Sequence, residues 1–317
     1  MNVALIGTSG IAGAHIRGWS ALGDAVEMAY LVDVNRDAAE AAKREHFPGA
    51  EIIEDWRDLL ERDDFDAADI CTPTRFHAEM SIALHQAGKH VLSEKPLCET
   101  MEEAQMMREQ IDPRDPVFMV EHRWLYEAPL LSLMAEIPGL GELHWMRMRL
   151  GHALDITPGI KASGALLDMG YHHVYTALHL MGSAQGVYAR SGTYVQEGAK
   201  DDSGLYVLSH ELGFSVLEPN FSSVGPTGLY RGIEVYGSEG SAMVTVSPEE
   251  KLWVARDRSR LEEIPWSVTS SWQENVIAHF HSVCLGEAEN ICGIDAGYAT
   301  MEVIARAQKS LDDGGTH

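Results

Sequence analysis

Three short stretches of this chain carry side chains whose types and spacing suit redox chemistry on an alcohol. Glu94-Lys95-Pro96 closes the apolar run His90-Val91-Leu92-Ser93, which reads as the fifth strand of a parallel sheet. The carboxyl ends of such strands are where open α/β sheets bind ligands. A proline disfavours helical geometry at the residue before it, so Lys95 is held extended and its ammonium is aimed in a fixed direction. In Asp168-Met169-Gly170-Tyr171-His172 the acid and the imidazole stand four residues apart, on one face of a helix. A carboxylate beside an imidazole fixes its tautomer and stabilises the imidazolium once a proton is accepted. Near a helix N-terminus the macrodipole favours the anionic Asp and the neutral His, the resting forms of a base pair. Tyr175 and His179 continue the stripe. The segment by itself fits a solvated helix face equally well.

The third stretch is Gly7-Thr8-Ser9-Gly10-Ile11-Ala12-Gly13, between a strand and a helix. Glycines permit a tight turn and let backbone amides approach a pyrophosphate at the helix N-terminus. Ser9 and Ala12 hold the second and third glycine places of the strict pattern, so a plain strand–helix turn also fits. Asp33, closing the second strand, stands where an acid accepts hydrogen bonds from adenosine ribose hydroxyls. It favours NAD over NADP, because a carboxylate repels a 2′-phosphate; Arg36 partly offsets that repulsion. Thr72-Pro73, with His77 opening the next helix, forms a loop at the same sheet edge, suited to flank a nicotinamide or to serve only as a turn.

The elements that must position these residues are legible in the hydrophobic pattern. Residues 1–121 alternate short apolar strands (3–6, 28–32, 51–53, 67–71, 90–95, 117–120) with helices (11–22, 38–45, 77–87, 101–110). That rhythm predicts a doubly wound parallel sheet. From residue 122 to 317 the rhythm changes. A long strand (142–150) and a helix (165–181) precede strands at 187–195, 204–212, 214–221, 232–236, 242–246 and 252–255, with two closing helices at 272–285 and 295–311. Successive strands with tight turns predict an antiparallel sheet, and the whole is α/β followed by α+β.

The 317 residues suit two domains, and 45% hydrophobic with 23% charged residues is the composition of a soluble globular protein. The formal charge of −24 argues against nucleic acid or an anionic membrane as partner. No apolar run reaches the roughly 20 residues of a membrane span, and no basic leader precedes the first strand. Cys71, Cys98, Cys284 and Cys292 lack metal-binding spacing; reduced buried thiols in a cytoplasmic protein, with no metal, are expected.

Taken in order, these motifs resemble the glucose–fructose oxidoreductase and inositol dehydrogenase (Gfo/Idh/MocA) family. Gly88-Lys89-His90-Val91 leading into Glu94-Lys95-Pro96, Asp168-Met169-Gly170-Tyr171-His172, and Glu234-Val235-Tyr236-Gly237-Ser238-Glu239-Gly240 carry the resemblance along essentially the whole chain. It implies a Rossmann domain and a second domain on a large, mostly antiparallel sheet whose open face forms a homodimer or homotetramer. It implies an NAD(P)-dependent dehydrogenase moving hydride between nicotinamide and the carbinol carbon of a sugar, inositol or related polyol. By position, Lys95 polarises the reacting oxygen, His172 exchanges the hydroxyl proton, and Asp168 orients His172. Gly7, Thr8, Ser9, Gly10, Ile11, Ala12, Asp33, Arg36, Thr72, Pro73, His77, Glu94 and Lys95 hold the cofactor. Where many members place a glycine and an arginine–aromatic pair, this chain reads Glu121-His122-Arg123-Trp124-Leu125-Tyr126. His122, Arg123, Trp124 and Tyr126 are substrate-pocket candidates, with Trp124 equally suited to packing. Asp155 and Lys161 precede the Asp168 helix and either reach the ligand or lie in a solvated loop. Two other readings use the same fold: a redox-neutral NAD-dependent hydrolase or lyase, and a non-catalytic nucleotide sensor.

Overall fold

The computed structural model describes residues 1–151, 158–222, 231–247, 249–257 and 260–314. The first elements are β1 (Asn2–Ile6), α1 (Ala12–Ala21), β2 (Glu27–Val32), α2 (Arg36–Glu45), β3 (Glu51–Ile53) and β4 (Ala67–Ile70). They are followed by α3 (His77–Gln86), β5 (His90–Ser93), α4 (Met101–Gln110), β6 (Phe118–Val120) and α5 (Ala128–Glu136). Next come β7 (Leu143–Gly151), α6 (Pro158–Met181), β8 (Gly186–Gly192), β9 (Ser203–His210), β10 (Gly213–Asn220) and β11 (Arg231–Gly237). The chain closes with β12 (Ser241–Ser247), β13 (Lys251–Ala255), β14 (Glu262–Ile264), α7 (Trp272–Cys284) and α8 (Ile294–Asp312).

Two compact units emerge. The first comprises Met1–Tyr126 and Ser270–Tyr298. Its six strands are all parallel, in the order β3-β2-β1-β4-β5-β6. The strands β1 and β4 are buried almost throughout, as a parallel sheet covered on both faces requires, hence their mostly apolar runs, broken in β4 by the buried Asp69. The unit differs from the division at 121/122 read from the sequence, because α7 packs on α1. A Cβ on Gly18 would lie 2.5 Å from Gln273 O and 2.5 Å from Ile277 Cγ1, so glycine is what lets these helices touch. The Val120 N–H also donates to Cys292 O at 2.8 Å.

The second unit comprises Glu127–Thr269 and Ala299–His317. Its eight strands run β14-β13-β12-β11-β7-β10-β9-β8, every neighbouring pair antiparallel except β7 with β10. The face packed under α5 and α6 carries Met146, Met148 and Leu150 of β7, all buried, while Trp145, Arg147 and Arg149 alternate onto the other face. The strand read as 187–195 ends at Gly192, because the chain turns around Asp202. The Asp202 Oδ2 accepts the N–H groups of Tyr194, Val195 and Gln196 at 2.9, 2.5 and 2.7 Å. The helix read as 165–181 is preceded by a further helical segment from Pro158, with a break between them at Gly164 (φ +80°). No helix among the described residues is long and apolar enough to cross a membrane.

Candidate active site

The glycine turn follows from backbone demands. Gly7 has φ +86°, and a Cβ there would lie 2.8 Å from Cys71 O, so no larger residue fits. Gly10 (φ +63°) has nothing within 4 Å of its would-be Cβ, which leaves the outer side of the turn open. Asp33 is held beneath it. Its Oδ2 accepts the Thr8 N–H (2.8 Å) and the Thr8 hydroxyl (2.9 Å), and its Oδ1 accepts the Asn35 N–H (2.8 Å). A carboxylate offers about four acceptor positions, so it is oriented yet retains capacity for a further donor.

Beside this acid lies a cavity of about 470 Å³ whose lining includes Gly7, Ser9, Asp33, Thr72 and Pro73, five of the residues expected to hold the cofactor. Trp56, Arg57, Phe76 and Met80 also line it and were not singled out from the sequence. Trp56 and Arg57 follow β3 at the same sheet edge, the one signal that pointed to them. Among the other expected cofactor residues, Thr8 is buried behind the turn and Ile11 is largely exposed. Ala12 opens α1. Arg36 is exposed and pairs with Glu54 (3.1 Å) and Glu40 (3.5 Å). An open glycine turn, an oriented acid and a cavity of this size fit the adenosine and pyrophosphate portions of a dinucleotide.

Directly after β5, the turn Glu94-Lys95-Pro96 is tied into the same sheet edge. The Glu94 N–H donates to Ile70 O (2.9 Å), and Glu94 Oε2 accepts the Lys95 N–H (2.9 Å). His77 was expected to hold the cofactor, but it is buried with Nδ1 2.8 Å from Pro96 O and Nε2 2.9 Å from Thr72 O. Both ring nitrogens are committed to backbone, so the residue ties the Thr72 loop to the lysine turn.

Behind Glu94 is a buried group that the sequence reading missed. The His15 Nε2 lies 3.1 Å from Glu94 Oε1, and its Nδ1 lies 2.9 Å from Asp69 Oδ2, which also accepts the Trp19 indole N–H at 2.7 Å. Burial opposes a charged His15, but the charge of Asp69 and its hydrogen bond raise the imidazole well above its ordinary range. Burial alone would raise Glu94; the hydrogen bond and charge of His15, with Lys95 nearby, hold it below the usual carboxylate value. Glu121 follows β6. Burial and the charge of Glu94 push it well up, and its Oε1 has no hydrogen-bond partner. The donor atoms of His15, Asp69 and Cys71 lie within 4.8 Å of one another. Since both His15 nitrogens face carboxylates and burial pushes the Cys71 thiol up, this cluster is a hydrogen-bonded group, not a cation cage.

The turn 122–126 is mostly interior. His122, Trp124 and Tyr126 are buried, and the Arg123 guanidinium lies over the Trp272 ring at 4.7 Å. The Tyr126 hydroxyl is 3.5 Å from Cys292 Sγ and its ring 5.3 Å from that of His279, so this expected substrate residue contributes to the packing of the first unit.

In the second unit, α6 carries Asp168 and His172. The break at Gly164 is fixed by Asp201, whose Oδ1 accepts the Leu166 N–H (2.8 Å) where the regular helix begins. The Tyr206 hydroxyl donates to Leu166 O (2.6 Å). His172 is nearly buried, and its Nδ1 is 2.8 Å from the Tyr175 hydroxyl. The sequence reading gave Asp168 the orienting role; the structure places the Tyr175 hydroxyl on the ring, three residues along the helix. His173 points into the core. Its Nδ1 meets Met169 O (2.8 Å), its Nε2 accepts the Leu150 N–H (3.2 Å), and burial lowers it to about 4. The Lys161 ammonium donates to Glu197 O (3.1 Å); Asp155 lies outside the described residues.

A parallel sheet in this order, a glycine turn and an acid closing β2 define a dinucleotide-binding oxidoreductase fold. Residues 1–122 match the oxidoreductase family model with an NAD-binding Rossmann fold, and residues 139–243 match the GFO/IDH/MocA C-terminal domain. The chain is 36% identical to a 4-carboxy-2-hydroxymuconate-6-semialdehyde dehydrogenase of a Sphingobium species, over 73% of this chain and 75% of that one. It is 26% identical to a levoglucosan dehydrogenase of Pseudarthrobacter phenanthrenivorans, covering 80% and 76%. With a myo-inositol 2-dehydrogenase of Thermotoga maritima the identity is 27%, covering 76% and 74%. In fold it resembles a levoglucosan dehydrogenase solved with NADH and levoglucosan, with a TM-score of 0.85 at 21% identity over 99% of this chain and 97% of that one. The chain belongs to the Gfo/Idh/MocA family and is an NAD(P)-dependent oxidoreductase.

Proposed function

We propose that this protein is an NAD-dependent dehydrogenase of a sugar, cyclitol or related polyol, with Lys95 and His172 acting on the reacting hydroxyl. The observation that carries the reading is the oriented Asp33 carboxylate in the cavity beside the open Gly10 turn. Gly7, Ser9, Asp33, Thr72 and Pro73 hold the dinucleotide, and the nicotinamide supplies the two-electron acceptor or donor. Lys95 donates a hydrogen bond to the carbinol oxygen and stabilises charge developing there. His172 accepts or returns the hydroxyl proton, held by Tyr175 on Nδ1 and set by Asp168 one turn earlier. NAD is the preferred cofactor. Asp33, Glu54 and Asp55 make the ribose end of the cavity acidic, while Arg36 pairs with Glu54 and Glu40 and Arg57 with Glu79 at 2.7 Å.

The substrate class follows the relatives, which are dehydrogenases of levoglucosan, inositols and a carboxylated semialdehyde. The first unit serves the cofactor, and the second serves substrate and assembly. The open face of the second unit's sheet carries Trp145 stacked on Tyr236 at 4.5 Å, with Phe214 at 6.3 Å. The buried Trp145 Nε1 there has no partner. We assign this face to a homodimer or homotetramer contact. The four unpaired cysteines suit a reducing cytoplasm.

The test is a panel of sugars, inositols and hydroxy aldehydes, with NAD and NADP, followed through nicotinamide absorbance. Turnover with a polyol and NAD, lost in Lys95→Ala while NADH binding persists, supports the reading. Near wild-type turnover in Lys95→Ala overturns it.

A further inference from the structure

We propose that His15 is a positioning residue of the redox site, clamped as a cation between Asp69 and Glu94 so that Glu94 presents a fixed negative charge beside Lys95. The inference rests on the reading that the Glu94-Lys95 turn flanks the nicotinamide. Its geometry is independent of that reading. One imidazole on α1 meets a carboxylate from β4 at 2.9 Å and another from the end of β5 at 3.1 Å, with His15 and Asp69 buried and Glu94 nearly so. A neutral imidazole has one N–H and satisfies one carboxylate; only the cation donates to both. The charged or titratable groups facing this pair are Asp69 and Cys71 from β4, Glu94 and Lys95 after β5, and Glu121 and Arg123 after β6. Burial raises both Glu121 and Cys71 and so favours their neutral forms; the imidazolium and Asp69 offset each other, and the negative charge left at the turn, beside Lys95, is that of Glu94.

This matters because the nicotinamide ring is positively charged when oxidised and neutral when reduced. A buried anion near the ring favours the oxidised form, and in a low-dielectric interior that preference is strong. Remove the imidazolium, and two buried carboxylates lose the cation that bridges them. One must take a proton. Asp69 keeps its bonds from Trp19 and Cys71, whereas Glu94 keeps one side-chain hydrogen bond, from the Lys95 N–H, beside the Lys95 charge, so Glu94 is the group neutralised and the preference for the oxidised ring goes with it.

The experiment measures dissociation constants of NAD⁺ and NADH, by fluorescence titration and competition, for wild type, His15→Gln, Glu94→Gln and the double variant. The expected result is that His15→Gln weakens NAD⁺ about tenfold more than NADH. Glu94→Gln gives the same change of ratio, and the double variant adds nothing further. In His15→Gln the ratio recovers as pH rises and Glu94 regains its charge, while wild type stays flat from about pH 6 to 8. A purely structural role would weaken both nucleotides alike, and that outcome overturns the proposal. If His15→Gln does not fold, ¹⁵N NMR of imidazole-labelled wild type with NAD⁺ at about pH 8 decides the matter. Both ring nitrogens protonated supports the clamp, and a neutral tautomer refutes it. These readouts need no turnover, so they stand apart from the Lys95→Ala test.

Discussion

Acid should loosen the second unit through one buried imidazole. His173 is neutral in the fold: its Nδ1–H donates to Met169 O and its Nε2 accepts the Leu150 N–H. Protonation would set two donors against each other across 3.2 Å and place a charge in the core. Burial lowers its pKa from 6.5 to about 4, while the unfolded chain keeps a value near 6.5. Between these values the unfolded state binds more protons, so stability falls as pH drops through the window and is intact above it. A shift of this size corresponds to about 3 kcal/mol at 1.36 kcal/mol per unit. The perturbation is His173→Gln, which removes the titrating ring and keeps an oxygen able to accept from Leu150. The assay is hydrogen exchange of the β7 amides from pH 7 to 4, corrected for intrinsic rates, which reports local opening without requiring two-state unfolding. Wild type should start more stable by about 1 kcal/mol and lose up to about 3 kcal/mol more than the variant on acidification. Parallel profiles would refute the assignment of a neutral, core-locked His173.

Gly18→Ala should destabilise the first unit by about 1–3 kcal/mol, because the added methyl meets backbone at 2.5 Å. On an open helix face the same change would stabilise by about 1 kcal/mol, so the sign of a urea-midpoint shift decides. Asp33→Ser should raise the KM for NAD about tenfold and narrow discrimination against NADP; steady-state kinetics showing an unchanged cofactor ratio would count against the ribose role. Gly164→Ala forces a side chain into a positive-φ position against the Asp201 carboxyl at 2.8 Å. The expected cost is about 1–3 kcal/mol, with turnover lost and NADH binding kept. Equal loss of both would show that the damage is not local to α6.

The strand–helix alternation of the first 121 residues was legible because a covered parallel sheet demands mostly apolar strands, and these strands are mostly apolar. Asp33 was readable for the same reason, since its role depends on a position relative to β2. His15 was not. It sits inside α1, and its partners Asp69 and Glu94 lie 54 and 79 residues away; no local spacing announces such a contact. The parallel pairing of β7 with β10 was equally hidden, since α6, β8 and β9 intervene. The helix α5 escaped notice because Ala128-Pro129-Leu130-Leu131 has a proline at its start and apolar residues on most sides, so no clean period stands out. Turn chemistry defeated the end of β8, where one distant carboxylate collects three successive amides.

The packing of α7 against α1 sets an order of events during synthesis. The glycine turn, the lysine turn and the whole parallel sheet have left the ribosome long before residues 272–284 exist, so the nucleotide unit must wait with the Gly18 side of α1 uncovered. A nascent chain halted near residue 126 should bind hydrophobic dyes and resist ordering, and an excised version would have to be spliced to 270–298 to stand alone.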